Sequence, residues 1–193
     1  MILIFWESKM KGAIIATTLI ATLTSCTTLW KVTDLNPESK HFPTSKQAVP
    51  ILERVVDLNT RKELLIVPSM SSDANYFKEM VSKNGFFDEV ISVDDLADRI
   101  VHAGLGDKVR TIADRIGFSN AAKYYKPFLF LTFKVRTDGD RQFDQIYLID
   151  ALTMEDYFIA EILYNPGEGV DDQSIWYPLL NSLNDYLQER SKK

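Results

Sequence analysis

The sequence has a single cysteine, Cys26, and only two histidines, His41 and His102. A single cysteine excludes a disulfide within the chain, so the fold depends on packing alone. With only two histidines, few residues are available to act as the general base of a serine or cysteine nucleophile. We interpret His102 as a surface residue near the end of a helix. A glycine-rich loop that would hold phosphate groups is also missing. We therefore predict no catalytic residues.

Basic residues are also fewer than acidic residues. Twenty-two lysines and arginines stand against 27 aspartates and glutamates, which gives a formal net charge of −5 over 193 residues. Proteins that bind nucleic acids usually carry an excess of positive charge, so we predict no nucleic-acid partner. The length allows one domain of ordinary size with a buried core.

Aspartates cluster twice, once at the start of a predicted helix and once around a predicted hairpin turn: Asp94, Asp95 and Asp98, and Asp138, Asp140 and Asp144. Carboxylates at a helix start offset the helix dipole, and aspartate is common in turns. We interpret both clusters as structural. The sequence therefore predicts no metal site and no cofactor.

The first residues have the pattern of an export signal. Lys9 and Lys11 precede a short apolar stretch, rich in threonine, that ends at Leu23-Thr24-Ser25-Cys26. Basic residues, a short apolar core and a small residue before the cut are typical of a secretory signal peptide. The apolar run 13–23 is well short of the ~20 residues of a membrane-spanning helix. A start at Met1 and a start at Met10 are both compatible with the pattern.

Leu23-Thr24-Ser25-Cys26 resembles the lipobox of bacterial lipoproteins. The resemblance implies cleavage between Ser25 and Cys26, a diacylglycerol group on the Cys26 thiol, and acylation of the new amine by a chain such as palmitate. Several acyl chains hold a protein on a membrane where one chain holds it only marginally. Thr27 stands where lipoproteins of the inner membrane commonly have aspartate. The resemblance thus implies the periplasmic face of the outer membrane.

The segment after Cys26 contains three prolines together with serine, threonine and lysine, a composition that predicts an extended tether. The alternative is a segment that packs along the domain, for which Trp30 and Phe42 supply apolar side chains. The predicted organisation is a signal peptide, a lipidated tether and a single α/β domain, over residues 1–25, 26–50 and 51–193.

The sequence of the predicted domain indicates strands and helices that alternate along the chain. Short apolar runs bounded by turn residues predict buried strands, and spacings of three and four predict helices. Ser92 with Asp95 predicts a capping box. The helical spacing from Val109 to Ile116, with Gly117 as a breaker, predicts a helix separate from the one over 120–125. Residues 51–58 are compatible with a short helix or an extra strand.

Asp138-Gly139 predicts a hairpin, and a further strand after it makes the end of the sheet antiparallel. The predicted order is β-α-β-α-α-β-β-β-α. The fold class is α/β, or α+β, with a mixed sheet of about four to five strands and helices mainly on one face.

This order, from about Glu63 to Leu163, resembles the α/β domain shared by the curli-secretion lipoprotein, the lipoprotein activators of penicillin-binding proteins and the amino-terminal domain of TolB. The clearest correspondence is Leu148-Ile149-Asp150-Ala151-Leu152-Thr153, where the family has an apolar strand followed by aspartate and threonine at a turn. Thr132 and Met154 stand where the family typically has glycine. The shared motifs are structural, and the hairpins of a membrane pore are not visible in this sequence.

An aromatic set supplies the candidate binding residues. Most of its members are expected in the core, and we select Tyr124, Tyr125, Trp176 and Tyr177 as candidates for a partner surface, because aromatic residues anchor interfaces. We therefore expect a lipoprotein that binds an envelope protein as a non-catalytic accessory or assembly factor. The alternatives are a periplasmic small-ligand or metal-dependent enzyme and a structural cell-wall tether.

Overall fold

The structure is a computed structural model, and it describes residues 32–56, 58–68, 74–165 and 172–191 of the chain. The predicted signal peptide and lipobox, including Ser25 and Cys26, lie outside the described residues. The strands are β1 Val49–Glu53, β2 Leu65–Val67, β3 Val90–Ser92, β4 Leu129–Asp138, β5 Arg141–Asp150 and β6 Asp156–Leu163. The α-helices are α1 Ala74–Ser82, α2 Val93–His102, α3 Arg115–Tyr124 and α4 Tyr177–Ser191. From β2 onward the order of strands and α-helices is the predicted one, and the fold class is confirmed.

All six strands form one mixed sheet in the order β1-β6-β5-β4-β2-β3. β2 pairs in parallel with both β3 and β4, whereas β4, β5, β6 and β1 pair in antiparallel fashion. The region 51–58, which the sequence left open, contributes the end of β1 and the start of a short 3₁₀ helix, Leu58–Arg61. β1 makes the sheet one strand wider than the four to five that the sequence predicts.

Helices cover both faces of the sheet, which corrects the prediction that they lie mainly on one face. Along β2, Leu65 and Val67 pack into one core with α1 and α4, while Ile66 packs into a second core with α2 and α3. The physical reason is that successive strand residues point to opposite faces. Because every residue of β2 is apolar and buried, each face needs a cover.

The predicted helix over 109–116 is absent, since α3 begins only at Arg115, after the N-cap Asp114. Gly117 lies in the first turn of α3 and does not break a helix. A Cβ atom at Gly117 would lie 2.0 Å from the carbonyl oxygen of Thr111. Glycine is therefore required there because the backbone before the helix folds back closely against it.

Two local predictions are confirmed. The hydroxyl of Ser92 accepts a hydrogen bond from the backbone of Asp95, whose carboxylate accepts one from the backbone of Ser92, so both halves of the capping box are present. The hairpin between β4 and β5 has a two-residue loop that starts at Gly139, whose φ of +58° suits glycine.

The turn after β5 is organised by Asp150, whose side chain is fully buried. Its Oδ1 accepts hydrogen bonds from the backbone N–H groups of Leu152 (2.7 Å) and Thr153 (3.0 Å). Its Oδ2 accepts from the Tyr157 hydroxyl (2.8 Å) and from Arg61 Nε (3.0 Å). These four bonds explain why an aspartate follows the apolar strand in this sequence.

Residues 32–48 lie against the folded domain, which differs from the predicted tether and corresponds to the alternative of a packed segment. Val32 is only 1% exposed and Phe42 3%. The Phe42 ring stacks on Tyr177 at the start of α4, with 4.7 Å between ring centroids. Burial of such apolar side chains stabilises a packed arrangement over a free one.

Candidate functional site

One half of the sheet has a face that no described helix covers. On the second face, α2 and α3 pack over β2 and β3 and over the ends of β4 and β5 as far as Phe130 and Ile149. Beyond those two residues, the side chains of β4, β5, β6 and β1 that point to this face lie outside the second core, although Tyr147 packs against its margin and Gln145 is only 6% exposed. We call them the open sheet face: Val49, Leu52, Lys134, Arg136, Phe143, Gln145, Tyr147, Ile159, Glu161 and Leu163.

A chain of hydrogen bonds crosses the open sheet face. The Tyr147 hydroxyl donates to Gln145 Oε1 (2.8 Å), and Gln145 Nε2 donates to Glu161 Oε2 (2.9 Å). Arg136 Nε and Nη2 donate to the two oxygens of Glu161 at 3.0 and 2.9 Å, which makes a bidentate pair. Three strands are linked in this way. Bidentate guanidinium–carboxylate pairs have a fixed geometry, so these side chains are held in place before any partner arrives.

Two cations lie over aromatic rings on the same face. Lys134 Nζ is 4.0 Å from the centroid of the Tyr147 ring, and Arg136 Cζ is 4.1 Å from that of Phe143. A cation over a ring face is attracted by the ring quadrupole. These contacts restrict the long side chains further, so less side-chain entropy remains to be lost on binding.

The charges of the network follow from its contacts. Hydrogen bonds from Arg136, and a further one from Gln145, hold the pKa of Glu161 below its usual value despite partial burial. Partial burial raises the pKa of Tyr147, and the charges of Asp156 and Glu161 act in the same direction. At neutral pH the network therefore contains a carboxylate, a guanidinium and a neutral phenol.

Apolar side chains surround this polar centre. Val49 on β1 is 63% exposed and Leu163 at the end of β6 is 49% exposed, while Leu52 and Ile159 are partly buried. Tyrosine and arginine, which are enriched at the energetically dominant positions of protein interfaces, thus lie beside exposed aliphatic residues. The arrangement can bind a surface but brings no nucleophile and base together.

The four aromatic residues selected from the sequence are not brought together. Tyr124 is 40% exposed at the end of α3, near the ammonium groups of Lys108 and Lys123, and Tyr125 packs against the second core. Trp176 and Tyr177 belong to the first core, on the opposite face of the sheet, and Tyr177 is buried. The structure thus places the four in separate surroundings.

Sequence reasoning missed the open sheet face altogether. Its signal is present in the period-two alternation of β4 and β5, where charged and aromatic residues share one face. That alternation says which side chains point the same way. It does not say whether a helix covers them, so exposure had to come from the structure.

A groove of 690 Å³ lies between residues 34–50 and α4. His41 Nε2 donates a hydrogen bond of 2.7 Å to Asp185 Oδ1 within it, and both side chains are accessible. Asn181 and Ser182 of α4 also line the groove. His102, the other histidine, is exposed at the last residue of α2, as predicted.

The clustered aspartates of the sequence lie elsewhere. Asp94 and Asp95 occupy the first turn of α2, where Asp95 completes the capping box. Within the described parts of the chain, no three histidine, cysteine or acidic side chains converge as a metal site would need. Among those same residues, no helix has both the length and the apolar composition that crossing a bilayer requires.

Comparison with known proteins gives partial likenesses only. No protein-family model matches the chain, and no curated protein matches it. The chain is similar to the LpoB C-terminal domain from Salmonella enterica, with a TM-score of 0.37 and 17% identity over 54% of this chain and 84% of that one. It is also similar to the PelC dodecamer from Paraburkholderia phytofirmans, with a TM-score of 0.36 and 12% identity over 74% of this chain and 96% of that one.

A third similar structure is the lipoprotein GNA1162 from Neisseria meningitidis, with a TM-score of 0.30 and 10% identity over 67% of this chain and 98% of that one. The similar structures therefore include a lipoprotein. A likeness at TM-scores below 0.5 carries no argument about function, so the proposals below depend on the sequence and on the described residues.

Proposed function

We propose that this protein is an envelope lipoprotein, anchored through Cys26 to the periplasmic face of the bacterial outer membrane, that binds another envelope protein and does not catalyse a reaction. The Leu23-Thr24-Ser25-Cys26 sequence supports the anchor. The open sheet face is the observation that carries the binding role. It combines a preordered polar centre with exposed apolar side chains at its edge.

The residue types of the open sheet face favour a protein as the partner. Arginine and tyrosine are enriched among the residues that dominate protein interfaces, and Arg136 and Tyr147 occupy the centre here. Leu163 and Val49 supply apolar contact area around them. Because the network already satisfies its own hydrogen bonds, binding need not desolvate an unpaired group.

Charge narrows the chemistry of the partner. The open sheet face as defined has two cations, Lys134 and Arg136, and one carboxylate, Glu161, while Asp138, on the same side of β4, also pairs with Arg136. Arg136 is paired with Glu161, which leaves Lys134 as the cation that no described carboxylate pairs with. We therefore expect a partner surface with apolar residues and a carboxylate opposite Lys134.

The test uses the full-length lipidated protein and a charge reversal at Lys134→Glu. Arg110→Glu is the matched control, because Arg110 is exposed outside the open sheet face and the change of charge is identical. We expect Lys134→Glu to weaken capture of the partner from solubilised envelopes by at least about tenfold, the effect of about 1.4 kcal/mol. The control should capture the partner as the wild type does.

A photo-crosslinking residue in place of Leu163 identifies the partner in living cells. We expect one envelope protein to be crosslinked at position 163 and not at position 110. Equal products at both positions would contradict the proposal, and so would products formed only between copies of this chain. Sedimentation with purified cell wall in the absence of any protein would favour the structural tether instead.

The groove at α4 is the place where a small-ligand enzyme would have its site. Asn181 and Asn184 hold the same segment that contains His41, so we assign the His41–Asp185 pair a fastening role. His41→Ala should lower the midpoint of unfolding and leave partner capture unchanged. If His41→Ala instead had normal stability but had lost an enzymatic activity of the wild type, the result would favour the alternative of a small-ligand enzyme.

A further inference from the structure

Three contacts hold residues 32–34, the first described part of the chain, against the domain. Lys83 Nζ, just beyond α1, donates to the Val32 carbonyl oxygen (3.1 Å) and pairs with Asp34. The Tyr177 hydroxyl donates to Thr33 Oγ1 (2.9 Å). Since the Val32 side chain is also buried, residues 32–34 belong to the domain and do not extend away from it.

A row of side chains on α4 continues this attachment. Asn181 both accepts from the Phe42 N–H (2.7 Å) and donates to the Phe42 carbonyl oxygen (3.0 Å), as a neighbouring strand would. Asn184 donates to the Lys40 carbonyl oxygen (2.9 Å). Residues three and four apart share one face of a helix, so Asn181, Asn184 and Asp185 form one row. We call this row, with Lys83 and Tyr177, the clamp.

The clamp limits how much chain can lie between the lipid anchor and the first attached residue. Only residues 27–31 separate Cys26 from Val32. Six steps of extended chain span at most about 20 Å, at roughly 3.3–3.6 Å each. A free tether that reached residue 50 would instead span up to about 80 Å by the same measure. The attachment of Val32 therefore sets an upper limit on the distance between the domain and the membrane.

We propose that the clamp keeps the domain close to the lipid surface, with Val32 at most about 20 Å from the headgroups. This inference rests on the lipid anchor of the proposed function and adds a limit on the distance between the domain and the membrane. It also restricts the partner, which has to present its binding surface close to the membrane. A partner that lies deep in the periplasm would be out of reach.

The experiment uses full-length lipidated protein in vesicles of phosphatidylethanolamine and phosphatidylglycerol that contain an acceptor-labelled lipid. Cys26 is the only cysteine and its thiol is consumed by lipidation, so Ser82→Cys gives a unique site for a donor dye beside Lys83. Energy transfer to the membrane measures the distance. The comparison protein has 20 Gly/Ser residues inserted between Cys26 and Val32, which adds roughly 25 Å on average.

We expect strong energy transfer for the native spacing and a fall of about half or more on insertion, because the flexible linker moves the domain away. An Asn181→Ala, Asn184→Ala protein should lie between the two, and circular dichroism verifies that it is folded. Equal transfer in the native and inserted proteins would overturn the inference. Protein that fails to float with the vesicles would instead overturn the lipid anchor, so the two failures are distinguishable.

Discussion

Replacing Asp150 by asparagine tests the buried turn that follows β5. The substitution keeps the shape but exchanges one carboxylate oxygen for an NH₂ group. If the amide oxygen stays on the backbone N–H groups of Leu152 and Thr153, the NH₂ group faces two donors, Arg61 Nε and the Tyr157 hydroxyl. The opposite orientation directs it at the two backbone N–H groups. In both orientations the NH₂ group of the asparagine faces hydrogen-bond donors and finds no acceptor in its place.

The magnitude follows from these contacts. Removing one partner of a buried ion pair costs about 3–5 kcal/mol. The side chain of Arg61 is 25% exposed and can regain water, which lowers the cost. The Tyr157 hydroxyl can also turn to accept a hydrogen bond. We therefore expect Asp150→Asn to lower the free energy of unfolding by about 2–3 kcal/mol at pH 7.

The same substitution predicts a pH dependence. Burial acts to raise the pKa of Asp150, but the hydrogen bonds from Thr153, Tyr157, Arg61 and Leu152 outweigh it and hold the pKa below 3.8. Ionised Asp150 thus stabilises the fold above about pH 3.8, and this stabilisation is lost as the pH falls through the lowered pKa. The difference in the free energy of unfolding between wild type and Asp150→Asn should therefore shrink as the pH falls. The other carboxylates do not affect this difference, because they are common to both proteins.

Urea unfolding of the chain from residue 27 onward, followed by circular dichroism, measures the difference in the free energy of unfolding. With a slope near 2 kcal/mol per molar, we expect a midpoint shift of about 1–1.5 M. Asp144→Asn on the same strand is the matched control. Burial raises the pKa of Asp144, so its ionised form opposes folding and the substitution should be neutral or slightly stabilising. A shift at Asp150 no larger than at Asp144 would refute the reasoning.

Three further substitutions test the local geometry, each by the shift of its unfolding midpoint. Met154 has a φ of +61°, so Met154→Gly should be more stable than Met154→Ala by about 1 kcal/mol, and equal stabilities would contradict the backbone geometry. Ser92→Ala removes half of a capping box and should cost about 1 kcal/mol, whereas Ser92→Thr, which can still accept, should cost less. Gly117→Ala forces the Cβ atom into the Thr111 carbonyl and should cost at least about 2 kcal/mol; a neutral result would place the two backbones farther apart.

Local patterns were sufficient to predict the order of the elements from β2 onward. Apolar runs, the Ser92–Asp95 box and Asp138-Gly139 each act over a few residues, and each is found in the structure. The predicted helix over 109–116 failed because its apolar spacing reflects tertiary burial, as Val109 is buried without a helix. β1 was ambiguous because Pro50 and a register shift interrupt its strand pattern.

The open sheet face was beyond the reach of the sequence for a different reason. The alternation in β5 places Phe143, Gln145 and Tyr147 on one face, but their exposure depends on where α2 and α3 end in space. Aromatic content alone selected Tyr177, which the fold uses as a stacking partner for Phe42. The type of a residue indicates whether its side chain suits an interface. Whether that side chain is exposed depends on how elements distant in the sequence pack around it.

The outer strand β1 has a consequence for how copies of the protein would coexist on a membrane, if it is anchored as proposed. Diffusion in two dimensions makes lateral collisions between copies frequent. An unprotected edge strand would let the sheets of neighbouring copies pair edge to edge and form a continuous sheet. Pro50 lacks the N–H that such pairing needs, and the register shift after it disturbs the regular spacing of donors and acceptors. At the opposite rim, β3 is only three residues long. These features of the two edge strands oppose pairing between copies through the rims of the sheet and would leave the open sheet face free for a different protein.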